Sequence, residues 1–271
     1  MIKRSGRLNR DRTLHNLIER KNMKKLIKHI IETSKKQRVK PEVMFNTFIS
    51  MTYQLTCTST YHRDFSYLEK EHFKFTELLE GLITKNPFSD VLGEVMLDVF
   101  SFDKKMLGQC MSPPDISSLQ GKIQGRYLVE KMSHKKELDI SDDCGCGTGS
   151  LILELLNVAI NSKAKIINVV INDIDEAMVK IAVIQIRFNL AIHNKKKKNK
   201  KAKIVSLTAY CGNTLTDYNK PENLVFFPNP HMISDPYVKG YFEHQEHKNS
   251  LMTLLEITDR FKELPLNTNA A

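Results

Sequence analysis

The residues best suited to chemistry lie in one short stretch, DISDDCGCGTGSLILELL, residues 139–156. Gly145, Gly147 and Gly149 alternate through a turn between a strand-like and a helix-like segment. Glycine at every second position lets a backbone turn tightly and bring its N–H groups against a ligand. Asp143 enters this turn, and a second acid, Asp173, closes the next apolar run, IINVVIND. A glycine-rich turn followed by an acid at the end of the next strand suits an adenosine, whose ribose hydroxyls the acid accepts. Asp143 adds a negative charge that opposes a pyrophosphate and favours a ligand with a free amino group. S-adenosylmethionine, bearing an α-amino group and a sulfonium, fits that charge better than a nicotinamide dinucleotide.

Cys144 and Cys146 offer a second chemistry, a metal site in C-x-C spacing. A structural zinc needs two more ligands, usually as another close pair. Cys110, Cys211, His231, His244 and His247 provide no such unit, so no metal is expected. A thiol nucleophile at Cys146 lacks a visible Cys-His-acid arrangement.

The elements that must position these residues change in kind along the chain. Apolar residues recur at three- and four-residue steps through LHNLIERKNMKKLIKHIIETS, and helical spacing continues through residues 64–86 and 89–102. Pro41 suits a first helical turn and Ser89 an N-cap. No strand pattern precedes about residue 137, which predicts a basic α-helical region over 1–105 and an α/β domain over 106–271. From there LDISDD, KIINVVIND, AKIVSLTAYCGNTL and ENLVFFPNP read as strands. SLILELLNVAINS and EAMVKIAVIQIRFNLAIHN lie between them as helices, and NSLMTLLEITDRFKEL returns to helix. Strands alternating with helices predict a doubly wound α/β sheet.

The composition is that of a globular chain: 271 residues, 41% apolar and 27% charged. There is no apolar run long enough to span a membrane, and the basic N-terminus lacks the apolar core of a secretory signal. Five scattered cysteines suit a reduced compartment, so the cytoplasm is expected. The formal charge of +10 is uneven, with fourteen Lys/Arg against three acids in residues 1–40. A second basic cluster, KKKKNKKAK, spans residues 195–203. Within it Lys195, Lys196, Lys197, Lys198, Lys200 and Lys201 form a run suited to a phosphate backbone, and the alternative is a solvated loop.

Four segments resemble the adenine-specific N6 DNA methyltransferases, above all the type I modification-subunit-like group and its short phage and plasmid relatives. Residues 90–123 resemble the family's G-Q-F-F-T-P stretch at Gly108, Gln109, Ser112 and Pro113, with Cys110 and Met111 in place of its aromatics. DCGCGTGS resembles D-P-A-C-G-T-G-G, matching at Asp143, Cys146, Gly147, Thr148 and Gly149. INDIDEAMVKIAVIQIRFNL resembles the ribose-binding segment, with Asp173 as the acid and Ile174 against the adenine ring. CGNTL resembles a loop whose polar residue, here Asn213, meets the adenine edge of the cofactor.

The resemblance implies a Rossmann-like S-adenosylmethionine-dependent methyltransferase sheet, shortened at its C-terminal end, that methylates adenine N6 in DNA. Its catalytic (D/N)-P-P-(Y/F) turn corresponds here to Asn229, Pro230 and His231, with Met232 where the aromatic belongs. In that family the turn accepts the hydrogens of the amino group and stacks on a flipped base. The replaced aromatics leave a second expectation open, a catalytically inactive relative that binds DNA or a protein partner of a restriction-modification system. Methylation of RNA or protein is a third.

Overall fold

The structure, a computed structural model, describes residues 22–58, 63–100, 114–132, 136–196 and 203–227. The β-branched run IINVVIND forms β2 (Ile166–Asp173), which has β1 (Glu137–Asp142) on one side and β3 (Ile204–Cys211) on the other. Both neighbours are parallel to it, with Asp142 opposite Ile171 and Asp173 opposite Cys211, so three carboxyl ends meet at one edge. Parallel neighbours need crossovers. Among the helices numbered from the N-terminus, α6 (Ser150–Asn161) and α7 (Glu176–Lys196) supply them. The sheet order is β1-β2-β3-β4, an α/β fold of Rossmann-like layout preceded, as expected, by a helical region.

Alternation along the strands sends Leu138, Ile140, Ile167 and Val169 into one core with Leu156 of α6 and Val183 of α7. Both crossover helices therefore cover the same face. The opposite face carries a polar ladder. Asn168 Nδ2 donates to Glu137 Oε1 and Asp139 Oδ1 at 2.7 Å each, and Ser206 Oγ donates to Asn168 Oδ1 at 2.8 Å. A doubly wound sheet has helices on both faces; among the described residues they occupy one.

The fourth strand also departs from the expected alternation. β4 (Leu224–Phe226) runs antiparallel to β3, pairing Phe226 with Ala209 and Leu224 with Tyr210. Residues 212–223 contain one short 3-10 turn, Pro221–Asn223, and no crossover helix, so the chain doubles back beside β3.

The helical region comprises α1 through residues 22–37, α2 (Pro41–Thr58), α3 (Glu69–Lys85) and α4 (Val91–Val99). Pro41 opens α2 as its missing N–H allows, but the N-cap of α4 is Asp90, not Ser89. Asp90 Oδ1 accepts from Gly93 N at 2.9 Å, while Ser89 Oγ donates to the Asn86 carbonyl. Leu26, Phe45, Phe48, Phe75 and Leu92 form a second core. Its far wall is α7 again, through Met178, Ile181, Ile184 and Ile192. Helix α7 is thus apolar on two sides because it is buried on two sides. Tyr53 of α2 ties the layers together, its hydroxyl donating to the Val225 carbonyl at 2.6 Å.

Helix α5 (Pro114–Met132) packs on α6 through Gly121 and Gly125. A Cβ at Gly121 would lie 2.5 Å from Glu154 Cβ, and one at Gly125 2.7 Å from a Val158 methyl. Among the described residues no helix is long and apolar enough to cross a membrane.

Candidate functional site

The glycine loop leaves β1, passes the end of β2 and enters α6. Its three glycines all take positive φ, +119° at Gly145, +53° at Gly147 and +96° at Gly149, which side-chain-bearing residues adopt only at a cost. Gly149 has a packing role besides: a Cβ there would sit 3.2 Å from Ala182 Cβ of α7. Gly147 has nothing within 4 Å of the same position, so the middle of the loop is open. Backbone bonds fix its path, Cys146 N donating to the Asn172 carbonyl and Gly149 N to the Cys146 carbonyl, both at 2.9 Å.

Thr148 is buried and serves as the loop's anchor. Its hydroxyl donates to Asp90 Oδ2 at 2.5 Å, while Gln185 Nε2 donates to the Thr148 carbonyl at 2.8 Å and to Asp90 Oδ1 at 2.7 Å. The other end of Gln185 accepts from Leu92 N at 3.0 Å. The loop, the start of α4 and the middle of α7 are therefore one polar assembly inside an apolar surround.

Asp173 stands beside the loop at the end of β2, only 9% exposed. Its Oδ2 accepts from Gly147 N at 2.8 Å and its Oδ1 from Asp175 N at 2.9 Å. Each oxygen keeps a further lone pair for a hydroxyl. Asp175 turns to Ala177 N at the start of α7. Between them Ile174 is 73% exposed, an apolar ledge at the mouth of the loop.

Asn172, fully buried, joins the loop to the segment after β3. Its Nδ2 lies 3.1 Å from the Asp143 carbonyl, 3.0 Å from the Gly212 carbonyl and 3.1 Å from Thr214 Oγ1, and its Oδ1 accepts from Gly212 N. Asp143 is gripped further by Tyr218, whose hydroxyl donates to Oδ2 at 2.6 Å. Asn213 shapes its own turn, Oδ1 accepting from Leu215 N at 3.0 Å.

Three carboxylates, Asp142, Asp143 and Asp173, crowd this edge. Burial first, then the charges of Asp143 and Asp173, push Asp142 up to about 6. Burial, reinforced by Asp142 and Asp173, also drives the Cys146 thiol far above its ordinary range, so it is no nucleophile near neutral pH. The site has the charge to hold a cation and repel a phosphate.

Asp143, Gly145, Cys146, Gly147, Thr148, Gly149, Asp173, Ile174 and Asn213 thus meet at one edge of the sheet. Lys195 is elsewhere, near the C-terminal end of α7, exposed and 3.1 Å from Glu80. Lys196 is the last residue of that helix. Gln109, Ser112, Pro113, Lys197, Lys198, Lys200, Lys201, Asn229, Pro230 and His231 lie outside the described residues. The sequence reading missed Asp90, Asn172, Gln185 and Tyr218. Asn172 and Gln185 carried a signal, amides inside otherwise apolar runs, where burial demands partners. Tyr218 carried none.

Among the described residues no group of three His, Cys, Asp or Glu side chains could hold a metal ion. No protein-family model matches the chain, and no curated protein does. A solved structure does: a Listeria monocytogenes protein provisionally assigned to the class I S-adenosylmethionine-dependent methyltransferases, with 16% identity and a TM-score of 0.40. The match covers 73% of this chain and 56% of that one, so the chain spans little more than half of that protein's length. A likeness this distant carries no argument about activity.

Proposed function

We propose that the chain is an S-adenosylmethionine-dependent methyltransferase acting on adenine N6 in DNA. The observation that carries the cofactor reading is the glycine loop wrapped around Asp173 at the carboxyl edge of a parallel sheet, with Gly147 N bonded to Asp173 Oδ2. The donor set fits the ligand. Asp173 would take the ribose hydroxyls on its remaining lone pairs, Ile174 the adenine face, and Asp143 the α-amino group. When bound, the cofactor supplies an electrophilic methyl group. The DNA reading rests on the motif resemblance, with the basic segments 1–40 and Lys195–Lys201 as phosphate contacts and Asn229, Pro230 and His231 at the target amino group. A reduced cytoplasmic setting accompanies it.

One observation favours the second reading, an inactive relative that binds DNA or a protein partner. β4 is antiparallel, so at Phe226 the chain is heading from the level of Tyr210 back past Ala209, away from the carboxyl edge. A parallel fourth strand would instead have carried the chain towards the edge where the glycine loop and Asp173 lie.

Labelled S-adenosylmethionine incubated with unmethylated genomic DNA, with Asn229→Ala alongside, separates the readings. Label in DNA for the wild type and none for the variant supports the enzyme. Cofactor binding without label in DNA, RNA or protein leaves the inactive relative.

A further inference from the structure

The Asp143 carboxylate is held from a neighbouring loop in a way that the loop motif alone does not require. Tyr218 donates to its Oδ2 at 2.6 Å, and the Tyr218 ring stands edge-on to Tyr210 of β3, centroids 5.7 Å apart. Thr214 Oγ1 donates to the Asp143 carbonyl at 2.8 Å, and Asn172 Nδ2 to the same oxygen at 3.1 Å. Side chain and main chain of Asp143 are therefore both fixed by residues outside the glycine loop. Oδ1 has the Cys144 thiol at 3.8 Å, a weak donor that an ammonium group readily displaces.

We propose that Tyr218 is a positioning residue acting through Asp143, fixing that carboxylate to receive the cofactor's α-amino group. The inference rests on the cofactor reading above. A carboxylate already held in one rotamer needs no ordering when the ligand arrives, which favours binding. Burial, and then the bond to Asp143, keep the phenol protonated far above its ordinary range, so it stays a donor at any physiological pH. Segment 212–218 then belongs to the cofactor site through its tyrosine and threonine as well as through the asparagine that the motif pointed to.

The test is calorimetric titration of wild type, Tyr218→Phe, Asp143→Asn and the double variant. Two probes are used: S-adenosylmethionine and 5′-methylthioadenosine, which lacks the amino-acid portion. Tyr218→Phe is expected to weaken S-adenosylmethionine about tenfold and leave 5′-methylthioadenosine unchanged. In the Asp143→Asn background the same change should have no further effect on either probe. Equal weakening of both probes with a lower melting temperature would reduce Tyr218 to a structural residue and overturn the proposal, as would unchanged affinity for both. A wild type that binds neither probe removes the cofactor reading itself, and this inference with it.

Discussion

Gln185 of α7 reaches Asp90, the N-cap of α4, with Nε2 2.7 Å from Oδ1, and the same amide nitrogen serves the Thr148 carbonyl. One buried side chain thus sets the glycine loop against the helical region. Gln185→Leu keeps the bulk but leaves Asp90, the Thr148 carbonyl and Leu92 N short of partners. The expected loss is about 2–4 kcal/mol in urea unfolding, since each unsatisfied buried group costs about 1–3 kcal/mol. Gln185→Glu, which sets a carboxylate against Asp90, should be at least as harmful, and a variant of wild-type stability would refute the assignment.

Gly149→Ala faces two penalties, a φ of +96° and a Cβ 3.2 Å from Ala182. Destabilisation of about 1–3 kcal/mol is expected from the backbone alone. Adding Ala182→Gly removes the contact but not the strain, so the double variant should recover only part of the loss.

Two groups give the folded state opposing pH dependences. Burial lowers His72 from 6.5 to about 4, so its contribution is present above 6.5 and is lost as pH falls towards 4. Asp142 is raised from 3.8 to about 6, so its contribution is present below 3.8 and is lost as pH rises through 6. Across pH 4–6 the two slopes partly cancel. His72→Gln should make the protein gain stability towards acid, and Asp142→Asn should make it gain towards neutral pH, each by on the order of 1–3 kcal/mol. Melting temperatures recorded from pH 4 to 7 would show the two slopes diverge; parallel curves would contradict both assignments.

Glycines in helices separate by what surrounds them. Gly125→Val drives a branched side chain into Val158 and should cost about 1–3 kcal/mol by forcing α5 away from α6. Gly81 of α3 has open space where a Cβ would stand, with nothing within 4 Å, and Gly81→Ala should stabilise by about 0.5–1 kcal/mol. Thermal melts of the pair read opposite signs if both contacts are as described.

Those glycines also explain what the sequence hid. Ile116, Leu119, Ile123 and Tyr127 do recur at helical steps in residues 114–132, but those side chains are exposed, and α5 meets α6 through Gly121 and Gly125 instead, a face that apolar spacing does not mark. The loop, Asp173 and the helix after it were legible because β-branched runs and alternating glycines have local causes. The direction of β4 was not, since Leu-Val-Phe reads the same in either sense and the connection before it decides. Tyr218 reaches Asp143 across 75 positions, and no spacing rule connects residues so far apart.

Helix α7 presents Val179, Val183 and Ile186 to the sheet and Met178, Ile181 and Ile184 to the helical region, so neither core is closed without it. The consequence is cooperative. Cutting the chain near residue 105 would strip one wall from α7 and expose its second apolar stripe to water, favouring aggregation over an independent α/β unit. The intact chain should therefore melt in a single transition, the helical region and the glycine loop losing their order at the same temperature.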